Sequence, residues 1–183
     1  MSRDPLPAPR TLVAGIGNIF LGDDGFGVEA ARLLAARDLP DHVEVVDVGV
    51  RGVHLAYQLL DGYDTLVLLD ATARGESPGT LYVVEHEGRG GTGAAVPVLD
   101  GHRMTPDTVL ALLDTLCAGT GAKPPGRVLV VGCEPASVDE RIGLSPPVAD
   151  AVPRAVRAVE ELLEGGVPVL ARAAEGFTRG DTG

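Results

Sequence analysis

The feature that most constrains the fold of this chain is a series of short apolar runs that alternate with segments of helical spacing. Runs of strand character cover residues 11–15, 43–47, 65–70 and 127–132, and the run 80–85 has the character of an edge strand. Segments of helical character cover residues 25–37, 53–60, 105–116 and 147–163. Buried strands that alternate with helices are typical of a parallel sheet. The sequence therefore predicts an α/β fold: a single three-layer domain whose twisted, mostly parallel sheet carries helices on both faces.

The length of the chain, 183 residues, suits one domain with a sizeable core. The proline-rich residues 1–10 predict a flexible N-terminal arm, residues 11–165 the domain, and residues 166–183 a C-terminal tail. The arm lacks the apolar core of a signal peptide, and no apolar run reaches the ~18 residues that span a membrane. We therefore expect a cytoplasmic protein, with a monomer as its simplest state.

Charge and cysteine content exclude several classes of function. The chain has 15 Lys and Arg against 26 Asp and Glu, a formal net charge of −11. An acidic surface repels phosphate groups, so we expect no nucleic-acid partner and no anionic membrane. Cys117 and Cys133 form no CxxC pair and fall in apolar stretches, which is typical of inert core residues.

Acidic residues stand at the ends of four predicted strands. They are Asp23 and Asp24 after the first, Asp47 at the end of the second, Asp70 at the end of the third, and Glu134 after the last. The carboxyl ends of parallel strands meet at one edge of a sheet. Crowded carboxylates raise one another's pKa, and a bound cation relieves that repulsion. The sequence therefore predicts a metal site, which His102, after a glycine-rich loop, would bias toward a transition metal.

Each of these residues also has a purely structural interpretation, which the sequence leaves open. The acids after the first strand could cap the following helix, Asp70 could cap a turn, and Asp47 could be structural alone. His102 could be a solvated loop histidine, and Glu134, before Pro135, an exposed turn residue.

A dinucleotide-binding loop is the competing interpretation of the first glycine-rich segment. Gly15 and Gly17 follow a strand as in the GxGxxG fingerprint, but Phe20 stands where the third glycine belongs. Asp23 and Asp24 then occupy the helix start, where a pyrophosphate needs positive potential. The sequence therefore disfavours nucleotide binding.

Four segments of the chain together resemble the hydrogenase maturation proteases. The segment 15–27 (GIGNIFLGDDGFG) resembles the opening motif of that family, and 66–71 (LVLLDA) resembles its strand-end aspartate segment. Gly101-His102 before a helix is similar to the family's histidine segment, while 132–135 (GCEP) and 141–146 (RIGLSP) resemble its closing block. The segments occur in the family's order within residues 11–165.

The resemblance implies an endopeptidase that removes the C-terminal extension of a nickel-loaded large-subunit precursor of a nickel–iron hydrogenase. It implies that Asp24, Asp70 and His102 bind the nickel, with Asp24 at a position that is glutamate in some members. Three protein ligands leave positions open for the substrate's own cysteine thiolates. The same ligand set would also accept zinc or another divalent ion in isolation.

The sequence contains no pattern that indicates a Ser–His–Asp or Cys–His nucleophile. The predicted mechanism is therefore a metal-positioned water, with Asp24, Asp47 and Asp70 as the catalytic acids and Asp47 or Asp23 as the base. Two other functions stay open: a non-catalytic, nickel-dependent chaperone of the same precursor, and a small-molecule hydrolase on the same scaffold. The hydrolase would need a closed pocket, which the glycine-rich residues 86–101 disfavour.

Overall fold

A computed structural model of the chain describes residues 8–86 and 105–166. His102 lies outside these residues, as do most of the N-terminal arm and of the C-terminal tail. The domain limits at residues 11 and 165 therefore stay predictions. Within the described ranges, none of the helices combines the length and the apolar character needed to cross a bilayer.

Five strands within residues 8–86 and 105–166 form one sheet. They are β1 (Thr11–Ile16), β2 (Val43–Gly49), β3 (Thr65–Ala71), β4 (Leu81–His86) and β5 (Arg127–Cys133). Their order across the sheet is β2-β1-β3-β5-β4. The first three strands and β5 run parallel, and β4 pairs antiparallel with β5 at one edge. The predicted mostly parallel sheet and the edge position of its fourth strand are confirmed.

In the part of the chain that the structure describes, four α-helices cover the two faces of the sheet. They are α1 (Phe26–Ala35), α2 (Gly52–Gln58), α3 (Pro106–Thr120) and α4 (Pro146–Leu163). Residues of α1 and α4 build the core on one face, around Phe26 and Val156. Residues of α2 and α3 build the core on the other, around Leu55 and Leu113. The three-layer α/β fold is therefore confirmed.

The start and the end of α3 each have a local cause. The Thr105 hydroxyl accepts the N–H of Thr108 at 3.3 Å, and Pro106 takes the first helical position, as the sequence indicates. The helix continues to Thr120, beyond its predicted end at residue 116, and Gly121 ends it with a left-handed φ of 75°.

Two glycines bring α1 into close contact with the sheet. A Cβ on Gly27 would overlap the carbonyl oxygens of Leu69 and Ile16, and a Cβ on Gly15 would overlap the carbonyl oxygen of Gly27. Only glycine therefore lets the first turn of α1 lie directly on the ends of β1 and β3. This close approach fixes the position of the preceding turn, Gly22–Gly25, which carries Asp23 and Asp24.

Candidate active site

A cavity of about 260 Å³ opens at the edge of the sheet where the parallel strands end. It is lined by residues that follow β1 (Gly17, Asn18, Leu21, Asp24), end or follow β2 (Gly49, Val50), end or follow β3 (Asp70, Ala71, Ala73), cap α3 (Thr105) and follow β5 (Pro135, Val138). The predicted convergence of strand ends therefore produces a concave site.

Asp24 and Asp70 line this cavity together. Asp70, near the end of β3, is only 8% exposed, whereas Asp24 is partly buried. Burial, reinforced by the negative charge of Asp24, raises the pKa of Asp70 to about 8 against a hydrogen bond from the backbone of Ala71. Within residues 8–86 and 105–166, no basic side chain is among the causes that act on the pKa of Asp70. The pair can therefore bind a cation or hold a proton at Asp70 near neutral pH.

The loop after β1 holds Asp24 in place. The Oδ2 atom of Asp24 accepts the backbone N–H of Asn18 at 2.7 Å. The side-chain oxygen of Asn18 accepts the N–H of Phe20 at 2.9 Å. Gly17 has a φ of 133°, and a Cβ there would overlap the carbonyl oxygen of Asp24. Sequence reasoning missed the part that Asn18 plays, although asparagine commonly bonds to the backbone two residues further on.

Asp23, next to Asp24 in the chain, is fully buried and does not line the cavity. Its carboxylate accepts the N–H groups of Ser145 (2.6 Å), Ala136 (2.7 Å) and Ser137 (3.2 Å), and the Ser145 hydroxyl at 2.8 Å. Burial alone would raise the pKa of Asp23, but these hydrogen bonds, led by those from Ser145, lower it.

The geometry of Asp23 revises two interpretations of the sequence. Four donors occupy its carboxylate, so its hypothetical role as a base finds no support. The capping interpretation is also wrong, because Gly25 is the N-cap of α1 and no side chain bonds there. Asp23 instead joins the opening motif to the closing block.

Asp47 lies in β2, beside Gly15 of β1, but its carboxylate pairs with α1. The Nε and Nη2 atoms of Arg32 both lie 3.1 Å from its Oδ2. Asp47 does not line the cavity. The structure therefore gives Asp47 a structural partner and does not bring it to Asp24 and Asp70, so its catalytic role stays a prediction.

Glu134 is also engaged away from the cavity. Its carboxylate accepts the Tyr82 hydroxyl at 2.6 Å and the N–H groups of Arg74 (2.7 Å) and Gly75 (3.2 Å). The Tyr82 hydrogen bond, helped by the backbone donors, lowers the pKa of Glu134 in spite of its burial. Glu134 therefore fixes the loop after β3. Of the five acids expected at this edge, only Asp24 and Asp70 line the cavity.

The third predicted metal ligand, His102, lies outside the described residues. In ranges 8–86 and 105–166, no three His, Cys, Asp or Glu side chains are grouped so that they could hold a metal ion. Asp24 and Asp70 fit a cation by charge and by their shared cavity, but they need a further ligand. Thr105, three residues after His102, lines the same cavity.

Known proteins resemble the chain in sequence and in fold. A family model described as hydrogenase maturation protease matches residues 28–162. The chain is 38% identical over 177 residues to the hydrogenase expression/formation protein HupD of Rhizobium leguminosarum bv. viciae, covering 92% of this chain and 81% of that protein. It is 35% identical over 170 residues to the hydrogenase 2 maturation protease of Escherichia coli K12, covering 90% of this chain and 98% of that protein. The chain belongs to the hydrogenase maturation protease family.

A solved structure agrees with this assignment. The hydrogenase maturating endopeptidase HybD from Escherichia coli superposes with a TM-score of 0.66 at 34% sequence identity, covering 85% of this chain and 93% of that one. The fold described above is therefore that of a hydrogenase maturation protease, and the opening motif at residues 15–27 lies just before the segment that the family model matches.

The described part of the cavity of this hydrogenase maturation protease offers carboxylates as its reactive side chains. The described residues that line it include no serine or cysteine, and the hydroxyl of Thr105 caps α3. Cys133 is fully buried, and burial raises the pKa of its thiol to about 12, which keeps it protonated and unreactive at neutral pH. Within residues 8–86 and 105–166, the lining of the cavity thus offers no serine or cysteine as an attacking group.

Proposed function

We propose that this hydrogenase maturation protease removes the C-terminal extension from the nickel-loaded large-subunit precursor of a nickel–iron hydrogenase. Asp24, Asp70 and His102 recognise the nickel, which arrives as part of the substrate. The observation that carries the proposal is that Asp24 and Asp70 line one cavity, where burial and then the negative charge of Asp24 raise the pKa of Asp70 to about 8. A divalent ion relieves that repulsion.

The position of Thr105 supports the inclusion of His102. Thr105 lines the cavity, and the three residues of chain that separate it from His102 span at most about 11 Å, a distance compatible with the proposed ligand set. An imidazole beside two carboxylates favours a transition metal over magnesium or calcium. Zinc or another divalent ion would occupy the same ligands in isolation, because this ligand set does not select strongly among such ions.

The chain's own groups have separate tasks in the proposed reaction. Asn18 holds the Asp24 carboxylate through a backbone N–H at 2.7 Å, so that this ligand is oriented before substrate arrives. Asp70 reaches the cavity from a buried strand, which fixes its position. The ion supplies positive charge beside the scissile bond, and the two carboxylates orient it. Nickel then serves as a recognition element, because a precursor without nickel offers these carboxylates no cation.

Intact-mass spectrometry of a precursor tests the proposal. The protein is mixed with the nickel-loaded large-subunit precursor from the same source, and with the nickel-free precursor. We expect loss of a C-terminal peptide from the loaded form alone, abolished by Asp24→Asn and by Asp70→Asn. Asp38→Asn is the matched control, because Asp38 is exposed and does not line the cavity. Binding without cleavage would instead establish the chaperone function, and equal cleavage of both forms would exclude recognition of nickel.

A further inference from the structure

Three exposed apolar side chains belong to the two loops that follow β1 and β5 and contribute residues to the cavity. Phe20 is 61% exposed, Val138 41% and Ile142 77%. We call these three residues the apolar platform. Val138 also lines the cavity, and Phe20 directly precedes Leu21, which lines it too. Scattered exposed apolar residues are ordinary, but exposed apolar residues on two hydrogen-bonded loops that border a concave site point to a surface for binding another molecule.

The backbone holds the apolar platform in a fixed arrangement. The N–H of Arg141 donates to the carbonyl of Phe20 at 2.9 Å, and the N–H of Gly22 donates to the carbonyl of Arg141 at 2.8 Å. The N–H of Asp23 donates to the carbonyl of Ser137 at 3.0 Å, one residue before Val138. The two loops are therefore interlocked before any partner arrives, which reduces the entropy lost on binding.

The charges around the apolar platform are mostly negative. Asp139 and Glu140 are exposed between Val138 and Ile142, and Asp24 and Asp70 lie in the adjoining cavity. Arg141 is the one basic residue in the segment 135–145. A partner segment that suits this surface is therefore apolar and carries basic residues, because its charges would complement the acids.

We propose that the apolar platform docks an apolar segment of the precursor that carries basic residues and lies next to the scissile bond. This inference rests on the proposed function. The precursor is the occupant because Val138 belongs both to the platform and to the cavity, so a chain that lies on the platform continues to Asp24 and Asp70. The apolar platform then contributes affinity for the polypeptide, while the carboxylates of Asp24 and Asp70 recognise the metal.

Steady-state cleavage of the nickel-loaded precursor tests the apolar contact. The double variant Phe20→Ser/Ile142→Ser should raise KM by about tenfold or more, because truncation of central interface residues has effects of this size. Its kcat should change much less, as expected for lost ground-state binding. Tyr57→Ser on α2 (57% exposed) and Val84→Ser on β4 (39% exposed) are the matched controls and should leave KM unchanged. The exposure of all four side chains keeps these variants folded, which thermal unfolding checks.

Charge reversal tests the predicted basic partner. We expect the KM of the wild-type protein to rise with salt concentration. Glu140→Lys should raise KM at low salt and make this rise smaller. Asp38→Lys changes the net charge equally at an exposed position away from the cavity and should have neither effect.

The outcomes separate the two proposals. Failure of the wild-type protein to cleave the loaded precursor ends the proposed function and this inference with it. Normal wild-type cleavage, with KM unchanged in the double variant, overturns the apolar platform alone. Sedimentation that shows a wild-type dimer, dissociated by Ile142→Ser, would assign the surface to a second copy of the chain and would also overturn the inference.

Discussion

Ser145 donates two hydrogen bonds to Asp23, from its backbone N–H at 2.6 Å and from its hydroxyl at 2.8 Å, across 122 residues of sequence. This contact joins the opening motif to the closing block, and both segments contribute residues to the cavity. Asp24, the next residue, faces the cavity instead. Two consecutive aspartates thus have different tasks, one in the architecture of the site and one in its proposed chemistry.

Replacing Asp23 by asparagine should lower the free energy of unfolding by about 3 kcal/mol at pH 7, because the amide leaves buried N–H donors unpaired. The folded pKa of Asp23 is lowered, so its stabilisation is present above the unfolded value of 3.8 and is lost as pH falls through the folded value. Urea unfolding at pH 7 and near pH 2 measures both effects. A loss no larger than that of Asp38→Asn at pH 7 would contradict this role.

Replacing Asp70 by asparagine should stabilise the metal-free protein at neutral pH. Between pH 3.8 and about 8, unfolded Asp70 is ionised while folded Asp70 keeps its proton. The folded state then binds more protons, so wild-type stability falls as pH rises through this window. The amide of the variant does not titrate, and the advantage of Asp70→Asn should therefore grow from pH 4 to pH 8. Thermal unfolding of both proteins in chelator measures it; a constant difference would show that Asp70 ionises normally.

Replacing Gly27 by alanine should destabilise the protein by about 1–3 kcal/mol, because the new Cβ meets the carbonyl oxygens of Leu69 and Ile16. Gly119 provides the matched control within a helix. A Cβ there meets nothing within 4 Å, so Gly119→Ala should stabilise α3 by about 0.5–1 kcal/mol. Denaturant unfolding measures both changes in the free energy of unfolding. A decrease for Gly27→Ala together with an increase for Gly119→Ala would support the close approach of α1 to the sheet. Changes in the same direction for the two variants would argue against it.

Replacing Asp47 by asparagine should leave cleavage of the nickel-loaded precursor near the wild-type rate, because its carboxylate pairs with Arg32 outside the cavity lining. The same change should lower stability by no more than about 1 kcal/mol, as for an exposed ion pair. Initial rates and thermal unfolding check the two statements. A rate that falls a hundredfold in a folded variant would instead restore Asp47 as the catalytic base.

The sequence allowed the sheet and the edge that carries the site to be predicted. β1 and β3 are apolar almost throughout, so both faces had to be covered, and parallel strands necessarily end at one edge. Asp70 could therefore be placed at the site from its position in the chain. The antiparallel pairing of β4 with β5 was not predicted, because an apolar run does not encode the direction of its neighbour.

The separation of the acids could not be predicted, because their partners are remote in sequence. The carboxylate of Asp23 accepts hydrogen bonds from residues 113 to 122 positions away in the sequence. The carboxylate of Glu134 accepts them from residues 52 to 60 positions away. The exposed side chain of Arg32, on α1, donates to the carboxylate of Asp47 on β2. Only the tertiary arrangement leaves Asp24 and Asp70, among the described residues, as the two carboxylates that share the cavity.

Nickel K-edge X-ray absorption of the loaded precursor tests most directly whether Asp24 and Asp70 recognise the substrate's metal. Spectra would be recorded for the precursor alone and frozen with the protein within the first turnover. We expect added oxygen and nitrogen ligands on the nickel in the mixture, absent with Asp24→Asn/Asp70→Asn and present with Asp38→Asn. A nickel spectrum that stays unchanged while the precursor is bound and cut would contradict recognition of the metal by these carboxylates.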